Sequence, residues 1–155
     1  MLNYEIREIE PKDYPTIAIL EKICFMHPWT LEQIKGEVED NAFSHFYVFE
    51  IEENGKKNII GYYDYWITFD SATIAQIAVK PEYRRQGIAS IMMQEICDDC
   101  YAKRVSNITL EVRKNNAKAK HLYEKFGFEA VLIKPHYYDN GDDAIYMIKK
   151  VNLNG

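Results

Sequence analysis

The stretch Arg84-Arg85-Gln86-Gly87-Ile88-Ala89 constrains this chain more than any other. It follows an apolar, strand-patterned run, Thr73-Ile74-Ala75-Gln76-Ile77-Ala78-Val79, and a break at Pro81. A helix pattern opens near Gly87. A basic, glycine-containing turn between strand and helix leaves the first helical N–H groups without intrahelical acceptors, at the positive end of the helix dipole. Such a terminus can bind phosphate or pyrophosphate through the main chain. Gly87 also admits backbone angles that a Cβ resists. The pattern is neither G-x-G-x-x-G nor G-x-x-x-x-G-K-S/T, so dinucleotide and Walker-type readings lose their main support. A basic loop that merely caps a helix fits the same residues.

The 155 residues suit one domain spanning 1–155. A domain of this size buries roughly 70% of its unfolded surface, and 47% apolar content supports an ordinary core. The net charge of -5 argues against general binding to nucleic acid or to an anionic membrane. It is compatible with a basic protein or peptide partner. Charges in Met1-Leu2-Asn3-Tyr4-Glu5-Ile6-Arg7-Glu8 interrupt the apolar run that a signal peptide needs. No apolar segment approaches the ~20 residues of a bilayer span. A cytoplasmic location follows as the expectation. Cys24, Cys97 and Cys100 fit a reducing compartment. Asp98 and Asp99, between the last two, would raise their thiol pKa values, the wrong direction for a reactive thiolate. There is no second cysteine pair for a zinc site, so no metal is expected and the thiols read as structural.

Hydrophobic periodicity organises the chain into two halves. Tyr4 to Ile9 reads as a strand. Asp13 to Phe25 reads as a helix with Ile17, Leu20, Ile23 and Cys24 on its apolar face. Thr30-Leu31-Glu32-Gln33 is a capping box that starts a second helix ending near Asp40. Phe43 to Ile51 is strand-like, with Phe46, Val48 and Glu50 sharing a face. Asn54-Gly55 signals a hairpin, and the next strand, Asn58 to Phe69, has a bulge candidate at Gly61. The second half alternates: strand 73–79, a helix from about Gly87 to Tyr101 with Ile88, Ile91, Met92, Glu95 and Ile96 on one face, and strand Asn107 to Val112. A helix from Asn116 to Phe126, stopped by Gly127, then leads to strands Phe128 to Ile133 and Ala144 to Val151. Strand–helix–strand implies a parallel pair with a right-handed crossover. The expected fold is α/β (α+β): one mixed sheet with helices on both faces.

A ligand whose phosphates sit at the helix start would lie near the C-terminal ends of strands 73–79 and 107–112. Glu111 is close to the end of the second strand. It is either a carboxylate facing that cleft or a solvated strand residue paired with a basic side chain. Tyr123 is either a core residue near Phe126 or a hydroxyl reaching the cleft. Asn116 reads most simply as a helix cap.

These residues resemble the GNAT acyl-CoA-dependent N-acetyltransferases. Arg84 to Ala89 matches their Q/R-x-x-G-x-G/A pyrophosphate loop, with Ala89 where many members have glycine. His27-Pro28-Trp29-Thr30, Asn107-Ile108-Thr109-Leu110-Glu111-Val112-Arg113, Asn115-Asn116-Ala117, Leu122-Tyr123-Glu124-Lys125-Phe126-Gly127-Phe128 and Tyr137-Tyr138 with Asp143-Ala144 occur in order. Together they resemble the RimI-like branch, which acetylates the N-terminal alanine of a small-subunit ribosomal protein. The resemblance implies a splayed parallel strand pair binding acetyl-CoA. The backbone of Ile77, Ala78 and Val79 would pair with the pantetheine arm. Arg85, Gln86, Gly87, Ile88, Ala89 and Ser90 would hold the pyrophosphate, and Asn116 would contact the co-substrate. It further implies Glu111 as general base and Tyr123 as general acid, with the Trp29 region and the loop 134–143 flanking the acceptor. Lys134-Pro135-His136 receives no role.

The implied chemistry is coherent. At pH 7, deprotonating an α-amine of pKa about 7.7–8.0 costs about 1 kcal/mol, against about 4.6 kcal/mol for a lysine. One carboxylate, acting directly or through water, suffices for the former. Strand N–H groups near Ile77 to Val79 would stabilise the developing oxyanion. Tyr123 would either protonate the departing thiolate or stabilise it by a hydrogen bond. No cysteine motif suggests an acyl-enzyme, so the attack is direct. Two other readings share these residues: acetyl transfer to a polyamine, lysine or small molecule, and an acyl-CoA-binding module without turnover.

Overall fold

The computed structural model describes residues 3–154. Its elements are β1 (Tyr4–Glu8), α1 (Tyr14–Cys24), α2 (Leu31–Glu39), β2 (Ser44–Glu53), β3 (Lys56–Thr68), β4 (Ser71–Val79), α3 (Ile88–Ala102), β5 (Asn107–Arg113), α4 (Ala117–Lys125), β6 (Glu129–Lys134) and β7 (Ala144–Lys150). The strands form a seven-stranded mixed sheet in the order β1-β2-β3-β4-β5-β7-β6. The backbone divides into two compact units. One takes the chain through Trp66 together with Ala75–Met92. The other takes Ile67–Ile74 and the chain from Met93 onward.

In the first unit, local chemistry sets the element ends. Thr30 accepts from the Gln33 N–H, and the Gln33 side chain accepts from the Thr30 N–H, so both ends of the capping box form at the start of α2. Asn54 and Gly55 take φ of 53° and 77°, the paired positive values of a tight hairpin turn, and join β2 to β3. The β2–β3 register slips between Phe49 and Glu50, which leaves Ile60 as the extra residue of a bulge beside Gly61. The carbonyl of Ile60 accepts from the Lys80 N–H at 2.7 Å, anchoring the end of β4. A Cβ on Gly61 would lie 3.0 Å from the Ala78 oxygen, so the close approach of these backbones favours glycine.

Ile17 and Leu20 of α1, Ile34 of α2 and Phe46, Val48 and Tyr62 of β2 and β3 form the core of this unit. The α1 stripe differs from the periodicity reading at two places. Ile23 is 49% exposed, while Glu21 is fully buried. Arg7 of β1 ties the strand to its neighbours, donating to Asp13 at 2.8 Å and to Glu50 at 3.0 Å. Burial alone would raise the Asp13 carboxyl, but the Arg7 hydrogen bonds and charge outweigh it and hold the group below the usual carboxylate range.

In the second unit, β4 pairs in parallel with β5 from Ser71–Asn107 to Thr73–Thr109, and the Thr73 and Thr109 hydroxyls lie 3.1 Å apart. The parallel pair expected from the strand–helix–strand pattern is therefore present. β5 pairs antiparallel with β7, and β7 with β6. Met93, Ile96 and Cys100 are the buried positions that α3 contributes here. Of the face read from periodicity, Ile88, Met92 and Ile96 are buried and Ile91 is half-buried, while Glu95 is exposed. α4 begins at Asn116, whose side chain accepts from the Ala119 N–H at 3.2 Å. It ends at Gly127, with φ of 92°. The Phe128 N–H bonds the Tyr123 carbonyl and the Gly127 N–H the Glu124 carbonyl, which is the doubly bonded left-handed cap that a glycine permits.

Candidate active site

The first unit supplies a strand end, a turn and a helix start. Ile77 is half-buried at the end of β4, with Ala78 and Val79 buried after it. The Val79 carbonyl accepts from Arg84 Nε at 2.9 Å, which folds the turn back on its own strand. Arg85 and Gly87 take φ of 66° and 79°. For Arg85 this is a sparsely populated conformation, stored where the chain must reverse into a helix. Nothing lies within 4 Å of a Cβ placed on Gly87, so glycine is required there by backbone angle and the space above it is open. Arg85, Gln86 and Gly87 are exposed, Ile88 is buried, and Ala89 and Ser90 are half-buried in the first turn of α3. The first helical bond runs from the Ile91 N–H to the Gly87 carbonyl at 3.0 Å. The preceding N–H groups thus lack intrahelical acceptors, as a pyrophosphate cradle needs.

The second unit supplies a carboxylate and a phenol. Glu111 stands opposite Tyr146 in the β5–β7 register. Its carboxylate is exposed, pairs with Lys134 at 3.4 Å and accepts a hydrogen bond from the Tyr137 hydroxyl. Of the two options raised from the sequence, the structure shows the second: Glu111 is a solvated strand residue paired with a basic side chain. Arg113, two positions on, packs 3.8 Å from the Tyr138 ring centroid and pairs with Asp142 at 3.1 Å, so the loop after β6 is fastened to the end of β5. Tyr123 is buried, with its ring edge-on to Phe128 at 6.0 Å. Burial, reinforced by Tyr138, pushes its phenol up to about 12. Asn116 is the α4 cap, as its position indicated.

Sequence reasoning passed over two charged residues. Glu21 is buried on α1 and accepts from the Trp29 N–H at 2.7 Å, the Tyr62 hydroxyl at 2.6 Å and Gln76 Nε2 at 3.0 Å. The available signal was its spacing, one turn after Ile17, on a stripe otherwise apolar. Lys134, left without a role, is the partner of Glu111. Among the described residues, no group of three or more histidine, cysteine and acidic side chains is arranged to hold a metal ion. Among the described residues, no helix is long and apolar enough to cross a membrane.

Comparison with known proteins supplies the class of protein. The acetyltransferase (GNAT) family model matches residues 3–128. The chain is 35% identical over 148 residues, covering 95% of each sequence, to a Bacillus subtilis (strain 168) protein provisionally named as a ribosomal protein bS18-alanine N-acetyltransferase. It is 30% identical over 151 residues to the ribosomal protein bS18-alanine N-acetyltransferase of Escherichia coli (strain K12), covering 96% of this chain and 98% of the relative. The crystal structure of the ribosomal-protein-S18-alanine N-acetyltransferase from Escherichia coli superposes with a TM-score of 0.84 at 29% identity, covering 98% of this chain and 96% of that one. The chain belongs to the GNAT acetyltransferase family and is an N-acetyltransferase of the RimI type, with acetyl-CoA as its acetyl donor.

Proposed function

We propose that this protein transfers the acetyl group of acetyl-CoA to a protein N-terminal α-amine, that of the N-terminal alanine of a small-subunit ribosomal protein, in the cytoplasm. The observation that carries the reading is the setting of Glu111: an exposed carboxylate already bonded to an ammonium and a phenol hydroxyl. A group so placed can receive a cationic amine and take its proton. The amine nitrogen attacks the thioester carbonyl, the C–N bond forms and the C–S bond breaks. Ile77, Ala78 and Val79 hold the pantetheine arm, residues 85–90 hold the pyrophosphate, and Asn116 contacts the co-substrate. The identity of 35% and 30% to bS18-alanine acetyltransferases, over 95% and 96% of the chain, supports the acceptor.

Tyr123 acts as a hydrogen-bond donor to the departing sulfur. With its phenol near 12, complete transfer to a thiolate of a thiol near ~8.5 would be uphill by about 5 kcal/mol. Stabilising the thiolate without surrendering the proton has no such cost.

Initial-rate release of CoA tests the reading with three acceptors: an alanine-started basic peptide, the same peptide with its α-amine blocked, and spermidine. Turnover of the free peptide alone supports it. Turnover of spermidine or the blocked peptide moves the acceptor to another amine class. Tight acetyl-CoA binding without turnover of any of the three would refute the N-terminal acceptor and leave an acceptor outside the panel or a module without turnover.

A further inference from the structure

Lys134 ends β6 and has no part in the acetyl-transfer steps above. Its ammonium lies 3.4 Å from Glu111 Oε1. The same ammonium stands over two aromatic rings, 5.0 Å from the Tyr137 centroid and 5.2 Å from that of Tyr146. Tyr137 also donates its hydroxyl to Glu111. Tyr146 is the register partner of Glu111 across β5 and β7. Four residues from β5, β6, the loop after it and β7 thus build one feature within the second unit: a carboxylate, two ring faces and a primary ammonium seated among them.

A primary ammonium is the group an acceptor amine presents before it loses its proton. A carboxylate with aromatic faces is the chemistry that recognises such a cation. We propose that Lys134 is a built-in competitor for the acceptor: its ammonium fills the position beside Glu111 that the acceptor's ammonium takes, and the acceptor must displace it. This rests on the reading of Glu111 as the base. Both side chains are partly exposed, 34% for Lys134 and 30% for Glu111, and Lys134 is carried on a flexible stem. Pairs of this kind are weak enough to exchange. The contact also favours free amines. An incoming ammonium replaces the positive charge that Glu111 loses, whereas a blocked N-terminus would leave the carboxylate uncompensated.

Steady-state kinetics of Lys134→Met and Lys134→Gln test this, with Lys103→Met as control, since Lys103 pairs with Asp99 on α3. The KM for the alanine-started peptide should fall roughly two- to fivefold in both Lys134 variants, the span of an exposed ion pair. The kcat should stay within about twofold, and the KM for acetyl-CoA should not move. The effect should shrink as salt rises. A peptide KM unchanged or raised in both variants overturns the proposal. A second readout does not depend on the acceptor's identity. Tyrosine-ring resonances of Tyr137 and Tyr146 should shift in Lys134→Met, and should respond to alaninamide at lower concentration in that variant than in the parent. Rings indifferent to both changes overturn the proposal. A parent that turns over no peptide refutes the acceptor reading instead, while the ring titration still decides the role of Lys134.

Discussion

The carboxylate of Glu21 on α1 receives the main-chain N–H of Trp29 eight residues later, at 2.7 Å. It receives the Tyr62 hydroxyl and the Gln76 amide as well, so α1, the segment before α2, β3 and β4 meet at one buried group. Burial raises this carboxyl, against the pull of its three donors. Glu21→Ala would strand the Trp29 N–H and Tyr62 hydroxyl without their acceptor. Its loss of stability in urea unfolding should be about 2–4 kcal/mol, the cost of two unsatisfied buried donors. Glu21→Gln keeps one acceptor oxygen and should lose markedly less.

Stability should fall as pH rises through the neutral range, because of Asp64. This carboxyl is fully buried on β3 and accepts from the Ser44 hydroxyl at 2.6 Å. Burial, then the neighbouring Glu37, pushes it up to about 9. Between roughly pH 4 and 9 the folded state keeps this proton and the unfolded chain releases it, so unfolding is favoured progressively as pH increases. Asp64→Asn removes the group that titrates. Urea unfolding from pH 5 to 9 should show a flatter profile for Asp64→Asn and a gain of about 1 kcal/mol at pH 8. A parent profile that is level or rising over this range would contradict the assignment.

Glu111→Gln should lower kcat for the alanine-started peptide by about 10²–10³ and raise the peptide KM, while Tyr123→Phe should lower kcat by about tenfold; the KM for acetyl-CoA should change little in both. The smaller penalty reflects a hydrogen-bond role for the phenol. For the parent, kcat/KM should climb with pH and level off near the acceptor's own pKa of about 8. Rapid-quench and steady-state rates on the two variants would separate chemistry from product release.

Gly87→Val places a branched side chain on a backbone held at φ of 79°. The strain should cost about 1–2 kcal/mol of stability. The new methyls would stand in open space above the turn, where the pyrophosphate is proposed to lie. The KM for acetyl-CoA should therefore rise at least tenfold while the peptide KM stays put. Isothermal titration with CoA should show the same weakening as a raised Kd, without an acceptor.

Features set by local chemistry could be read directly from the sequence. Thr30 with Gln33, Asn54 with Gly55, and Gly127 after α4 each solve a problem within a few residues, and each sits where its chemistry placed it. The turn at Gly87 belongs with them. What periodicity misjudged depended on distant partners. Glu21 is buried because donors 8, 41 and 55 residues away converge on it. Ile23 is exposed because α1 buries Glu21 in place of it, and Glu95 is exposed at the edge of the buried face of α3. Lys134 meets Glu111 through a register shift between Ala130 and Leu132 in the β6–β7 pairing, which sequence alternation does not reveal. Glu111 and Tyr137 each lay in a family motif, whereas nothing in the sequence singled out Lys134 or Tyr146 as their neighbours.

Burial is the leading cause of a raised pKa at all three thiols, Cys24, Cys97 and Cys100, with Cys100 pushed up to about 12. None is a ready thiolate at neutral pH. This accords with the direct attack proposed above, in which no acetyl group rests on a sulfur between encounters. Donor and acceptor must be present together, and double-reciprocal plots against either should intersect instead of running parallel. Each acetylation is then drawn from the acetyl-CoA of that moment, with nothing carried forward on the enzyme when the donor runs short.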